Sequence, residues 1–455
     1  MLIKVIRYKQ ILQKSRSFFV IPVRKGSLTM IGKLILRLIG KRKTKADRGF
    51  TLTELLVAMF ISTLIVSSMM AFVVQILETD RREQAKVDTQ QEQEAAMDFI
   101  ADDLQESIFV YDADGLEALM GGPASPTPGV NQLPAPGFFT EVDNPIPILA
   151  FWKRSFYDRF ETQTTASGAD VLVGCLRDPN PSCNDTNMIG TDEYTYSLVV
   201  YFVAKNDPGT GWSGAARLLR WELRGGIQSD CTVAAGNTLA TPNCGLTAQR
   251  GSQDPTDLGF YYVLPDSGFR RFDLTGAGSL KDRMANWQSA PYNLAGAPPT
   301  QEPQVLIDYV DDTTYAAAQE DPGTASNVDI LVGLDGNANG NDCANPNLGQ
   351  TGANAQRVPR AFDTLPDGST IPVEDQVTGF YACVNSLEYN TRVFLRSNAL
   401  ARLRRDITQR TLFADGTARI GNPATATSPI ASSTATAFIP TADVQVRGRG
   451  ELGDI

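Results

Sequence analysis

The side chains of this chain that could do chemistry are acids, amides and thiols, because its 455 residues include no histidine. That excludes a Ser-His-Asp or Cys-His nucleophile pair, imidazole acid–base work, and histidine-bound zinc or iron. Asp335-Gly-Asn337-Ala-Asn339-Gly340-Asn341-Asp342 matches the opening of a calcium loop. In such a loop, oxygens at alternate positions wrap a hard cation and a glycine permits the sharp turn. The usual closing glutamate is replaced by Pro346, so a full shell needs Asp342, a carbonyl or another segment. A plain Asn/Gly/Asp turn is the competing reading. Trp152, Trp212, Trp221 and Trp287 could stack on sugars or fill a core, and no spacing singles out a carboxylate pair for acid–base catalysis.

The cysteines are Cys175, Cys183, Cys231, Cys244, Cys343 and Cys383. An even number beyond a membrane segment reads as disulfides, and the absence of a close CxxC pair disfavours zinc. Sequence order ranks Cys175–Cys183, Cys231–Cys244 and Cys343–Cys383 first; other connectivities stay open.

These groups are presented by a chain of uneven charge. Residues 1–49 hold 14 Lys/Arg against the single acid Asp47, whereas from Phe50 onward 27 basic residues face 50 acidic ones, a net of −23. An acidic chain lacks the basic footprint that nucleic acid requires. Leu55–Leu77 follows the basic segment with 23 residues free of charge, Pro and Gly. As a helix it spans roughly 35 Å, enough for the hydrocarbon core of a membrane. The basic flank stays inside, so everything after Glu78 is expected outside.

The junction reads Lys45-Ala-Asp-Arg48-Gly49-Phe50-Thr51-Leu-Thr-Glu54-Leu55. It has no small-x-small cleavage site, which would in any case lie after the apolar run. Gly49, Phe50 and Glu54 instead resemble the prepilin signature of type IV pilins and type II secretion pseudopilins. The resemblance implies cleavage after Gly49 by a prepilin peptidase, N-methylation of Phe50, and a role for Glu54 in filament assembly through the Phe50 amine of a neighbouring subunit. Glu54 as a first-turn residue favoured by the helix dipole is the alternative, and the two are compatible. A leader of 49 residues is long for this family; starting at Met30 would shorten it to 20. A second membrane segment at Ile31–Ile39 is disfavoured, since Lys33 and Arg37 interrupt a run already too short.

Beyond Leu77 the chain turns polar without a helix breaker, while Met97, Ile100, Leu104 and Ile108 recur at steps of three and four. One helix over 50–110 is expected, its membrane part at 55–77, ending at Asp112-Ala-Asp-Gly115. Residues 116–148 read as a Gly/Pro-rich crossing loop. Strands are expected at Ile146–Trp152, Ser197–Val203, Leu218–Leu223, Gly259–Leu264, Val305–Tyr309, Val328–Val332, Gly379–Val384 and Arg392–Leu395. The fold class is therefore α+β, a long N-terminal helix packed on an antiparallel β-sheet with long loop insertions, as the pilin resemblance also implies. The extracytoplasmic β-rich domain covers 111–405. Residues 406–455 form a low-complexity, partly disordered tail, with Asp443–Arg447 docking as an edge strand.

The expected function is structural rather than enzymatic: a minor pilin or pseudopilin subunit, most similar to the PilW-like, J-class subunits linked to hormogonium polysaccharide secretion in filamentous cyanobacteria. That resemblance implies as partners other pilin subunits, the prepilin peptidase, an inner-membrane assembly platform and an exported polysaccharide, with support of gliding motility. It places the chain first as a single-pass protein of the inner membrane, N-terminus cytoplasmic, then in an extracytoplasmic filament. The competing class is a membrane-anchored glycan-binding or adhesin module that never polymerises. No cofactor is expected apart from Ca²⁺ at Asp335, Asn337, Asn339, Asn341 and Asp342. With calcium at a hundredfold excess over its dissociation constant, linkage adds about 2.7 kcal/mol. The full chain should then melt at a higher temperature in Ca²⁺ than in EGTA, and Asp335→Ala should abolish the difference. Identical melting curves under all these conditions would make the segment a plain turn.

Overall fold

An apolar run without Gly or Pro leaves the backbone one way to satisfy its own hydrogen bonds, and in the computed structural model it is helical throughout. The structure describes residues 51–122, 125–128, 130–134, 142–165, 168–178, 182–206, 212–213, 215–229, 249–250, 260–274, 277–289, 301–312, 343, 355–359, 377, 379–403 and 438–448. Helix α1 covers Leu52–Gln105. The chain divides into two units, residues 1–75 and 76–455, and α1 contributes to both. In the first, Ser62 and Thr63 donate to the Met59 carbonyl and Ser68 to that of Ile65, so their hydroxyls are satisfied without breaking the helix. Among the described residues α1 is the one helix long and apolar enough to cross a membrane, and none of its apolar window is buried.

Within the second unit α1 changes character. Ala85, Thr89, Gln93, Ala96, Met97, Ile100, Asp103 and Leu104 are buried along one face, the i, i+3, i+4 stripe of a helix lying on a sheet. The helix stops at Gln105 rather than near Val110. Ser107 donates its hydroxyl to the Leu104 carbonyl (2.6 Å), and Ser107–Val110 becomes strand β1. The residues Ile108-Phe-Val110 are β-branched or aromatic and gain more from cross-strand packing than from another helical turn. Ile108 is therefore buried from a strand, not from the helical stripe. Asp112 does not end a helix either. Its carboxylate accepts from the Gly115 N–H (3.0 Å) and caps a new helix, α2, Ala113–Leu119, inside the expected loop.

The remaining elements are β2 Val142–Tyr157, β3 Thr162–Thr164, β4 Asp170–Leu172, β5 Glu193–Asn206, β6 Ala216–Arg224, β7 Ile227–Gln228, β8 Gln249–Arg250, β9 Phe260–Val263, helix α3 Leu280–Ala285, β10 Gln304–Val310, β11 Gln356–Val358, β12 Phe380–Asn385, β13 Asn390–Arg396, helix α4 Leu400–Leu403 and β14 Thr441–Arg447. One sheet has the order β1-β2-β5-β6-β10 and another β11-β12-β13-β14; β3-β4 and β7-β9-β8 form smaller ones. All pairings are antiparallel. Strand β2 starts earlier than the expected Ile146, and its register with β5 slips around Pro145 and Pro147, as residues that cannot donate to a ladder require. The expected strand Val328–Val332 lies outside the described residues. A single apolar core joins α1, α2 and strands of both large sheets. The sheets are also linked by a Val310–Ser397 bridge and a fully buried Arg396–Asp311 ion pair of 2.6 Å. The fold is α+β, a long helix packed on antiparallel sheets.

The helix is held to the sheet by charge as well as by apolar contact. Asp103 is buried, and its Oδ2 accepts from Arg220 Nε (2.6 Å) and the Tyr201 hydroxyl (2.7 Å). Its Oδ1 accepts from Lys153 Nζ (2.9 Å). These partners come from β6, β5 and β2. Arg220 also donates to Glu222 (2.8 Å). Burial alone would raise the Asp103 pKa, yet the guanidinium, the ammonium and the phenol together hold it below the ordinary aspartate value. A depressed native pKa stabilises the fold above the unfolded value near 4, and that stabilisation is lost as pH falls through the native value. Asp103→Ala should destabilise the fold by about 3 kcal/mol, because buried Arg220 would keep only Glu222 and half-buried Lys153 only Glu106. Denaturant melts should also show the wild type, but not the variant, losing this increment below about pH 4.

Candidate functional site

The start of α1 is built by three residues. Thr51 precedes the helix, and its hydroxyl accepts from the Glu54 N–H (3.3 Å). Glu54 Oε2 accepts from the Thr51 N–H (3.0 Å) and from the Thr51 hydroxyl (2.9 Å). The Leu55 N–H reaches the Thr51 carbonyl (3.2 Å), closing the first turn. This is a reciprocal capping box, which satisfies two of the donors that a helix N-terminus leaves orphaned. Among the described residues Glu54 Oε1 accepts no hydrogen bond, so one oxygen of this exposed carboxylate holds the helix start. Thr51 was missing from the sequence-based site, although Thr51-x-x-Glu54 in front of an apolar run is a legible capping-box signal. Gly49 and Phe50 lie outside the described residues.

From this site the apolar side chains of α1 run on uncovered: Leu55, Leu56, Met59, Phe60, Leu64, Met70 and Phe72 are all more than half exposed. In water such a continuous apolar surface would be an association or membrane surface. What this site presents is a carboxylate held at a helix N-terminus, beside an apolar rod.

The other sequence-derived groups scatter. Cys175 and Cys183 are bonded to each other, as are Cys343 and Cys383. The first bridge anchors the turn after β4, and the second ties Cys343 to β12 within a small cluster with Ala355 and Tyr381. Cys231 and Cys244 lie outside the described residues, as does the whole of Asp335–Asp342. Three of the tryptophans are core residues: Trp152, Trp221 and Trp287 are at most 3% exposed. Trp152 packs edge-on against Phe269, Phe272 and Trp287. Trp212 is the exposed one, and the Arg217 guanidinium sits 4.4 Å from its ring centroid.

Residues 44–70 match the Prokaryotic N-terminal methylation motif, the type IV pilin and pseudopilin signal. The match spans Gly49, Phe50 and Glu54 and ends within α1. No curated protein and no solved structure matches the chain.

Proposed function

We propose that the chain is a structural minor subunit of a type IV pilus-like or type II secretion-like filament. The observation that carries this reading is the continuity of the methylation motif with α1, a single helix that begins as an uncovered apolar rod and continues as the packed spine of an α+β domain. A membrane anchor alone needs only about 20 apolar residues. It needs neither a carboxylate at the first turn nor a helix shared with the exported core.

In this reading the basic leader keeps the N-terminus in the cytoplasm and is removed after Gly49 by the prepilin peptidase, and the new amine of Phe50 is methylated. An inner-membrane assembly platform then moves the subunit from lipid into a filament, where its apolar face is covered by other pilin helices. A charged carboxylate costs roughly 2.5–3.5 kcal/mol at the centre of a membrane helix on insertion scales. Pairing of Glu54 with the Phe50 amine of a neighbour offsets that: unit charges 4 Å apart attract by about 4 kcal/mol at an effective dielectric of 20. The capping box leaves Oε1 for this contact, so Glu54 can serve its own helix and its neighbour together. The acidic exported domain and its large size suit a minor component, and support of polysaccharide export and gliding is the narrower role we assign to it.

Two experiments test this. Mass spectrometry of the native chain should find an N-methylated Phe50 at its start, and Gly49→Val should block processing because a branched side chain obstructs the peptidase. A native chain retaining residues 30–49, or cut after Leu77, would remove the filament reading. Glu54→Ala should insert and be cleaved normally, yet enter filaments about tenfold less efficiently, the equivalent of about 1.4 kcal/mol of the pairing energy. Undiminished incorporation in a strain without the wild-type copy would refute the pairing role.

A further inference from the structure

On a domain with a large acidic excess, one small cleft gathers three arginines. It has a volume of about 200 Å³ and lies between α3 and the chain that follows β9, with Arg270, Arg271 and Arg283 on its walls. Asp273 is the one acid lining it, and Asn286 and Gln288 add amides. The carboxylates close by are engaged elsewhere. Asp282 accepts from Ser279 in the capping box of α3, Asp112 and Asp114 hold Lys281, and Asp266 accepts from the Arg224 N–H.

Arg271 and Arg283 are positioned by neutral partners. Arg271 donates to the Gln228 side chain (3.1 Å) and lies over the Tyr196 ring. Arg283 donates to the Leu274 carbonyl, and its buried Nε–H has no acceptor among the described residues. Among the described residues neither Arg271 nor Arg283 forms an ion pair. A buried donor without a partner is destabilising, and clustered like charges repel. Both costs are relieved together by an anion. The floor is rigid, because Trp287 donates its indole N–H to the Arg270 carbonyl (2.7 Å) and packs against Trp152.

We propose that this cleft binds a single oxyanion, a carboxylate, sulfate or phosphate group on a small solute or a saccharide, through Arg271 and Arg283 with Arg270 alongside. The planar guanidinium fork matches such groups, and its charge-assisted bonds are about twice as strong as neutral ones. The dimensions favour one group over a protein surface. A stable protein interface buries roughly 800 Å² on each partner, whereas this cleft holds the volume of a few waters at about 30 Å³ each. The site is independent of filament assembly, since it uses none of Gly49, Phe50 or Glu54.

The test is isothermal titration of the full chain in neutral detergent, at constant ionic strength, with sodium sulfate, inorganic phosphate, D-glucuronate and, as the uncharged control, D-glucose. Sulfate, phosphate or glucuronate should bind saturably below about 10 mM, while glucose should not. Arg271→Gln and Arg283→Gln should each weaken binding by about tenfold. Arg271 is exposed, so its variant should melt like the wild type and keeps the test valid if Arg283→Gln misfolds. Glucuronate tighter than the inorganic anions supports a saccharide-borne ligand; the reverse order supports a free inorganic anion. Equal binding by wild type and Arg271→Gln, or no saturable binding of any anion, overturns the proposal. So does a shift of sedimentation in Arg271→Gln without anion binding, which would make the cleft a protein contact.

Discussion

A carboxylate withdrawn from water must be met by cations or hydrogen-bond donors, and Asp103 is met from three strands at once, by Lys153, Tyr201 and Arg220. Apolar packing tolerates a helix that slides or rolls, because one aliphatic contact is nearly as good as the next. A buried ion with four hydrogen bonds tolerates neither. Its position sets the rotation of α1, so that Met97, Ile100 and Leu104 face the core. Toward the N-terminal side, Gln93 donates to the Leu395 and Pro440 carbonyls, and Arg402 reaches Thr89 and Glu92. Such contacts contribute more to uniqueness than to net stability, since a buried ion pair roughly cancels its own desolvation.

The same helix carries a second carboxylate under the opposite constraint. Asp103 has its full complement of partners inside the fold, whereas Glu54 has half of one. Thr51 occupies one oxygen, and the carboxylate is exposed beside uncovered apolar side chains. A group left unsatisfied at the edge of an apolar rod favours assembly, because pairing with a neighbour removes both the polar and the apolar penalty. In this sense α1 is finished at one end by its own domain, and at the other the proposed filament would finish it. The proposed oxyanion cleft follows the same logic with the sign reversed: Arg271 and Arg283 are held in place by neutral neighbours.

Much of this was legible in the residues, and the reason is range. A membrane segment, its basic flank, the Gly49-Phe50…Glu54 junction, the helical stripe and the strand runs around Ile146, Ser197, Leu218 and Gly379 are patterns within a few turns of chain. They depend on backbone geometry and hydropathy, which act locally. The expected end of α1 failed at Ile108 because a helical step of four also fits the first residues of a strand. Only pairing with β2 decides between them. Asp112 was read as a stop for the same reason: a cap looks alike from either side until the helix it serves is known.

What the sequence determined by itself is therefore the methylation motif, the long apolar helix that follows it and the α+β class. The tertiary structure alone decided which acid is structural. Asp103 sits in a run of acids and amides, and nothing nearby distinguishes it from Asp98 or Asp102; its partners Lys153, Tyr201 and Arg220 lie 50, 98 and 117 residues away. Likewise, three of the four tryptophans became core residues through contacts distant in sequence, and Arg271 and Arg283 came to share one cleft although a helical cap and a loop separate them. Local patterns report what each segment prefers. Burial and charge pairing depend on which segments meet, and that is settled only when the chain closes on itself.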